Sequence, residues 1–390
     1  MTTAVMSDPD RAHAAADATT AASPAPTGGR LAPLLDRQQL IVCVGSGGVG
    51  KTTTAAALGI AGAHRGRRTA VLTIDPARRL RDALGITTLD GTPHRVPLGR
   101  RVGSLHAMIL DTKRTFDELI QRYAPTGAAA ERVLTNRIYE SVSTALAGSQ
   151  EYMAMERLHA LAGSGDYDLL VVDTPPTQHA LDFLEAPERL TALLTSRAAA
   201  ILQNPSLILA REGSRLAQAA LSAVLRGLER FTGFEMLRDV AEFVGGLEEF
   251  SAGFQERAAS VARFLREPAT SFVLVTTPET ARIAETLAFH AELVRAGLPF
   301  AGFVVNRVLP PSLLGRPPFP DVERASAADL QLGRKLAELQ QRYATLVRAE
   351  RAEIDRLQAA APDALVVEVP LATEEPSSLA RLVSLSTTLG

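Results

Sequence analysis

Six short apolar runs punctuate the chain after about residue 38: "LIVCV" (40–44), "TAVLTID" (69–75), "DLLVVD" (168–173), "SFVLVTT" (271–277), "FAGFVVN" (300–306) and "ALVVEVP" (364–370). Each is rich in Val, Ile or Leu and closes on a polar or turn residue, the pattern of strands buried on both faces of a parallel sheet. Helical stretches separate most of them. The alternation predicts an α/β fold, a doubly wound, mostly parallel sheet. Ligands in such sheets bind beyond the carboxyl ends of the strands. The residues that close these runs are therefore the first candidates for chemistry.

One region breaks the rhythm. Residues 187–266 hold no convincing strand, and Phe243, Leu247, Phe250 and Phe254 recur at i, i+4, i+7 and i+11, with Val240 and Val244 beside them. A helical subdomain inserted into the sheet domain is the simplest account. Its Phe stripe either packs on neighbouring helices or forms an apolar surface for a protein client. A second helix, about 325–358, sets Leu332, Leu336, Leu339, Tyr343 and Leu346 at near-heptad spacing. Packing of that face within its own domain is expected ahead of coiled-coil pairing. Residues 1–37 read as a disordered leader, and residues 38–390 as one domain carrying the insert.

At 390 residues the chain can bury a large core. A formal net charge of −2 argues against a general nucleic-acid binder, which needs a basic face. Cys43 is the single cysteine, so no disulfide forms within the chain and a reduced, cytoplasmic setting is expected. No apolar run reaches the roughly 18 residues that would span a bilayer. Of 41 basic residues only Lys51, Lys113 and Lys335 are lysines, so the lysine at position 51 stands out. A compact ammonium fits between phosphate oxygens where a guanidinium fork does not.

Lys51 belongs to "GSGGVGKT", residues 45–52, which matches G-x-x-x-x-G-K-[ST] between a predicted strand and a predicted helix. Gly45, Gly47, Gly48, Val49 and Gly50, with Lys51, Thr52 and Thr53, are the candidate phosphate-binding residues. Lys51 is expected to hold the β- and γ-phosphates, and the Thr52 hydroxyl to ligate Mg²⁺. Gly45, Gly47 and Gly50 also satisfy the dinucleotide pattern G-x-G-x-x-G, with Asp75 ending the next strand, but that reading leaves Lys51-Thr52 and Asp173 without roles. Asp173 closes "YDLLVVD", a strand-end carboxylate suited to Mg²⁺. Asp75, in "TIDPARRL", is a candidate to orient the attacking water, with a helix N-cap as the alternative. Asn306 ends a strand with an amide that can both donate to and accept from a purine edge. A turn former is the plainer reading.

The blocks "GSGGVGKTT", "TIDPARRLRDALG", "LHAMILDTKRTFDEL", "GSQEYMAMERL" and "YDLLVVDTPPTQHALDFLEAP" resemble the arsenite-pump ATPase (ArsA) family, which includes the guided-entry ATPases that target tail-anchored membrane proteins. "PETARIAETLAFHAELVRAGLPFAGFVVNRVLP" and "VEVPLATEE" continue the likeness, which runs in order from residue 38 to 385. The resemblance implies an ATP- and Mg²⁺-dependent hydrolase with a deviant Walker A loop. It implies a dimer with two nucleotides facing across the interface and switch I at Asp75-Pro76-Ala77. Switch II would run from Asp173 through Thr177 and His179. Asn306 with the Pro370-Leu371 turn would hold the adenine.

Four departures bear on function. The metalloid-binding cysteines of arsenite pumps are missing, and so is a C-x-x-C zinc pair. The family's signature lysine, which reaches across the dimer to the partner's phosphates, is Ser46 here. Switch II reads "TPPTQH" where relatives usually carry "TAPTGH". These point to an ATPase acting on a protein client, as a homodimer or as a heterodimer with a paralogous chain that supplies the lysine. An arsenite-efflux subunit and a nucleotide-binding regulatory subunit are the alternatives. No nucleic-acid partner and no direct membrane span are expected.

Overall fold

All six apolar runs are strands of one sheet. In chain order the elements are α1 (Ala32–Arg37), β1 (Leu40–Val44), α2 (Lys51–His64), β2 (Arg68–Thr73), α3 (Arg79–Leu84), β3 (His94–Arg95), β4 (Ser104–Ile109), α4 (Thr112–Tyr123) and α5 (Gly127–Leu134). There follow α6 (Gln150–Ser164), β5 (Leu169–Asp173), α7 (Ser251–Arg266), β6 (Thr270–Thr276), α8 (Thr280–Arg295), β7 (Phe300–Val308), α9 (Ala327–Ala360), β8 (Leu365–Pro370) and α10 (Leu379–Leu389). The computed structural model describes residues 31–75, 79–99, 103–124, 126–136, 139, 150–175, 251–311, 327–372 and 378–390.

The strand order is β3-β4-β2-β5-β1-β6-β7-β8, parallel throughout except for the short antiparallel edge β3. Alternate residues along each strand feed two separate cores, as the period of a strand requires. Leu40, Val42 and Leu72 pack with Phe116 and Leu119 of α4, Met153 of α6, Phe264 of α7 and Phe289 of α8. Ile41, Cys43, Val71 and Val171 pack on the other face with Leu35 of α1, the Ala-rich α2, Leu80 of α3 and Leu382 of α10. The sheet is doubly wound as expected. Phe272 of β6 and Phe303 of β7 are among its largest fully buried side chains. Each contributes roughly 1.5–3 kcal/mol of burial.

Three expectations need correction. β3 and β4 were not anticipated: β3 is two residues long, and β4, "SLHAMI", carries His106 inside its apolar run. That ring meets Tyr167 edge-on, 5.6 Å between centroids, so the strand stays packed despite the polar residue. The end of the supposed leader is folded. Leu31 and Leu35 are fully buried, and the Leu31 N–H donates to the Leu389 carbonyl at 2.7 Å.

The third correction concerns α9, whose heptad face is not packed within the domain along its first half. Leu332, Leu339 and Leu346 are 50%, 63% and 57% exposed, while Val347, Ile354 and Leu357 further on are buried. Among the described residues the buried positions of the helix fall in its second half, with Leu336 and Tyr343 of the heptad face half-buried. Of the helical subdomain read at about 187–266, only α7 falls among the described residues. Of the Phe stripe, Phe243, Leu247 and Phe250 lie outside them, and Phe254 falls on α7.

Candidate functional site

The loop joining β1 to α2 turns on glycine. Gly45, Gly48 and Gly50 have φ of +150°, +80° and +99°, values at which an L side chain is strained. Space matters as much as torsion. A Cβ on Gly45 would collide with the Val275 carbonyl of β6, and one on Gly50 with the Asn306 amide of β7. Val49 is 1% exposed and pins the loop to the core, leaving Gly47 and Gly48 open to solvent. Gly50 supplies no capping side chain to α2. First-turn amides left without a cap, at the positive end of the helix dipole, form an anion site.

Lys51 opens α2 and is 7% exposed. Its ammonium curls back to donate to the Gly45 carbonyl at 2.8 Å and the Ser46 carbonyl at 2.9 Å. Burial lowers its pKa, while Asp173 and Asp75 pull it back up. The lysine is thus held over the loop on weak carbonyl acceptors that an anion would outcompete.

Asp173 ends β5 between β1 and β2, opposite Cys43 and Thr73 in the ladder. It is fully buried. Oδ2 accepts from the Thr73 hydroxyl at 2.9 Å. Oδ1 is buried with no hydrogen-bond partner. Burial pushes the carboxyl from an ordinary 3.8 up to about 6, against the lowering pull of the Thr52 and Thr73 hydroxyls and of Lys51. Thr174 locks the strand end by donating its hydroxyl to the Cys43 carbonyl at 2.8 Å. Burial also raises the Cys43 thiol pKa.

Asp75 lies two residues past β2, half-buried, and its charge is felt by both Lys51 and Asp173. Pro76, Ala77, Thr177 and His179 lie outside the described residues. Asn306, Pro370 and Leu371 do come together at the neighbouring strand ends. Asn306 pairs with Val369 and Val308 with Pro370 in the β7–β8 ladder, and the Leu371 N–H donates to the Val308 carbonyl at 2.8 Å. The Asn306 amide also reaches the phosphate loop, Nδ2 donating to the Val49 carbonyl at 2.9 Å.

Two residues of this neighbourhood were not singled out from sequence. Thr73 braces Asp173 and could have been noticed as a polar residue inside an apolar run. Glu285 of α8 is held below the usual carboxylate range first by a hydrogen bond with Ser46 and then by Arg282, which donates to it at 3.0 Å. The serine is therefore tied to an acid of its own chain, a contact that no local sequence pattern announces.

The donor set fits a small divalent cation. A buried carboxylate oxygen without a partner is costly unless something positive meets it, and the Thr52 hydroxyl acts on the same carboxyl. Mg²⁺ takes one or two protein oxygens together with phosphate and water.

A family model described as anion-transporting ATPase matches residues 38–318. The chain is 27% identical over 368 residues to an ATPase GET3 of Malassezia globosa, covering 90% of this chain and 92% of that protein. An ATPase GET3B of Arabidopsis thaliana is 26% identical, over 69% of this chain and 64% of its own length. A putative arsenical pump-driving ATPase of Chlorobaculum tepidum is 31% identical, but over 39% of this chain and 36% of its own.

Proposed function

Because this chain belongs to the anion-transporting ATPase family, whose model spans residues 38–318, we propose that it is a Mg²⁺-dependent ATP hydrolase acting on a protein client or partner. The observation that carries this reading is the buried, partnerless Asp173 Oδ1, set beside Thr52 and Lys51 at the carboxyl end of the sheet.

In this reading ATP draws the Lys51 ammonium off the Gly45 and Ser46 carbonyls and onto its β- and γ-phosphates. The loop amides and the start of α2 take the remaining phosphate oxygens. Thr52 and Asp173 would hold Mg²⁺, which would supply charge neutralisation to the phosphates. Asp75 orients the attacking water, and little else is asked of the protein than positioning. Asn306 and the Pro370-Leu371 turn hold the adenine. Hydrolysis then opens and closes the inserted helical subdomain.

A metalloid-pumping role is less well supported. Soft metalloids want thiolates, and Cys43 is buried with its thiol pKa raised. The loss of the signature lysine supports a heterodimer with a paralogous ATPase that retains it. Mg-ATP titration calorimetry tests the core of the proposal. Lys51→Ala should abolish binding, and wild-type affinity in that variant would reject the phosphate-loop assignment.

A further inference from the structure

The end of β7 has an irregular backbone that the sheet itself does not need. Asn306 and Val308 both keep ladder partners on β8, and Arg307 is the extra residue between them. Its φ is +64°, the one positive value at a non-glycine position among the described residues. That conformation is disfavoured for a side chain and persists only where its surroundings enforce it. A bulge residue is left off the ladder, and the Arg307 N–H donates instead to Asn306 Oδ1 at 2.9 Å. With Oδ1 so engaged, Nδ2 is the end of the amide that faces the phosphate loop, where it donates to the Val49 carbonyl at 2.9 Å. Gly50 leaves room for this approach, since a Cβ there would strike Nδ2.

We propose that Asn306 and Arg307 form a clamp that sets the shape of the phosphate loop, with Asn306 a positioning residue acting through Val49. The inference rests on the nucleotide reading above and adds to it. A trans peptide is planar, with its C=O and N–H pointing in opposite directions. Holding the Val49 carbonyl toward Asn306 therefore aims the Gly50 N–H the other way, as the donor that an anion requires. It also keeps a carbonyl dipole turned away from the phosphates. The Arg307 side chain, which is exposed, has no part in the clamp. Its backbone does the work.

The test separates loop from base by using a probe that has no base. Mg-ATP and magnesium tripolyphosphate are each titrated against the purified full chain by displacement of a fluorescent ATP analogue. Asn306→Leu, neutral and of similar size, should weaken tripolyphosphate about tenfold for a lost hydrogen-bond pair, and Mg-ATP by at least as much. Arg307→Val, β-branched and ill suited to positive φ, should do the same, and Arg307→Gly should restore affinity. Hydrogen exchange in Asn306→Leu should quicken across residues 45–51 and stay unchanged in β4, which distinguishes a loosened loop from a misfolded chain. A wild-type chain that binds neither probe would overturn the nucleotide reading, and the clamp with it. If Asn306→Leu weakens Mg-ATP but leaves tripolyphosphate binding intact, Asn306 serves the base alone and the clamp is wrong.

Discussion

Asp173 illustrates how burial and chemistry pull against each other in one side chain. Its folded-state pKa, about 6, lies above the ordinary 3.8. The native chain thus binds this proton more tightly than the unfolded one. The sign follows: ligand-free stability falls as pH rises from about 4 to about 6, by on the order of 3 kcal/mol from this group. Urea unfolding of Asp173→Asn should lose that slope and leave the ligand-free protein more stable at neutral pH. An unchanged slope would mean that another group titrates. The same proton works against the metal, so Mg-ATP affinity should drop as pH falls below about 6. Asp75→Asn should behave differently, keeping Mg-ATP binding while turnover collapses. Normal turnover in that variant would demote Asp75 to a structural acid.

Among the elements, α9 and α4 make opposite forecasts from equally periodic sequence. On α9, Leu332, Leu339 and Leu346 are at least half exposed. Leu339→Ser should therefore shift stability by no more than about 0.5 kcal/mol, and a loss of several kcal/mol would show the face to be covered after all. On α4 the capping contact is what counts. Asp111 accepts the Arg114 N–H at 2.9 Å, so Asp111→Ala should cost about 1 kcal/mol in a denaturant titration. The contrast marks the limit of what sequence makes legible. Buried parallel strands such as "LIVCV" declare themselves, because both faces demand apolar residues. The β1–α2 loop declares itself as well, since its glycines answer to close approach by Val275 and Asn306. β4 stayed hidden because His106 breaks its run while finding Tyr167 in three dimensions. The exposure of the α9 face is not legible, because periodicity reports an apolar stripe and is silent on what covers it. The Ser46–Glu285 contact joins residues far apart in sequence and could not be read from either stretch.

At the scale of the molecule, the phosphate loop answers to distant parts of the chain. If a paralogous chain supplies the missing cation, this chain alone should hydrolyse ATP slowly and the paralogue should raise the rate. An arginine finger of that kind is worth about 10³–10⁵ in turnover. Brisk activity of a purified homodimer, unaffected by any paralogue, would remove the idea. Ser46→Lys is a less direct test than it looks, because the new ammonium would meet Glu285 of its own chain. Pairing it with Glu285→Gln should release the lysine and give the larger gain in a self-associating chain. The covering of α2 has another consequence. α10 packs over it, the Gly390 carbonyl accepts from Arg65 across 325 residues, and the Leu389 carbonyl takes the Leu31 N–H. On the ribosome, residue 65 is made long before residue 390. At about 5–20 residues per second, the outer face of the helix that carries Lys51 stays bare for tens of seconds of synthesis. The nascent chain is then a client in its own right, and ribosome-bound intermediates halted before residue 379 should hold chaperones that the finished protein has shed.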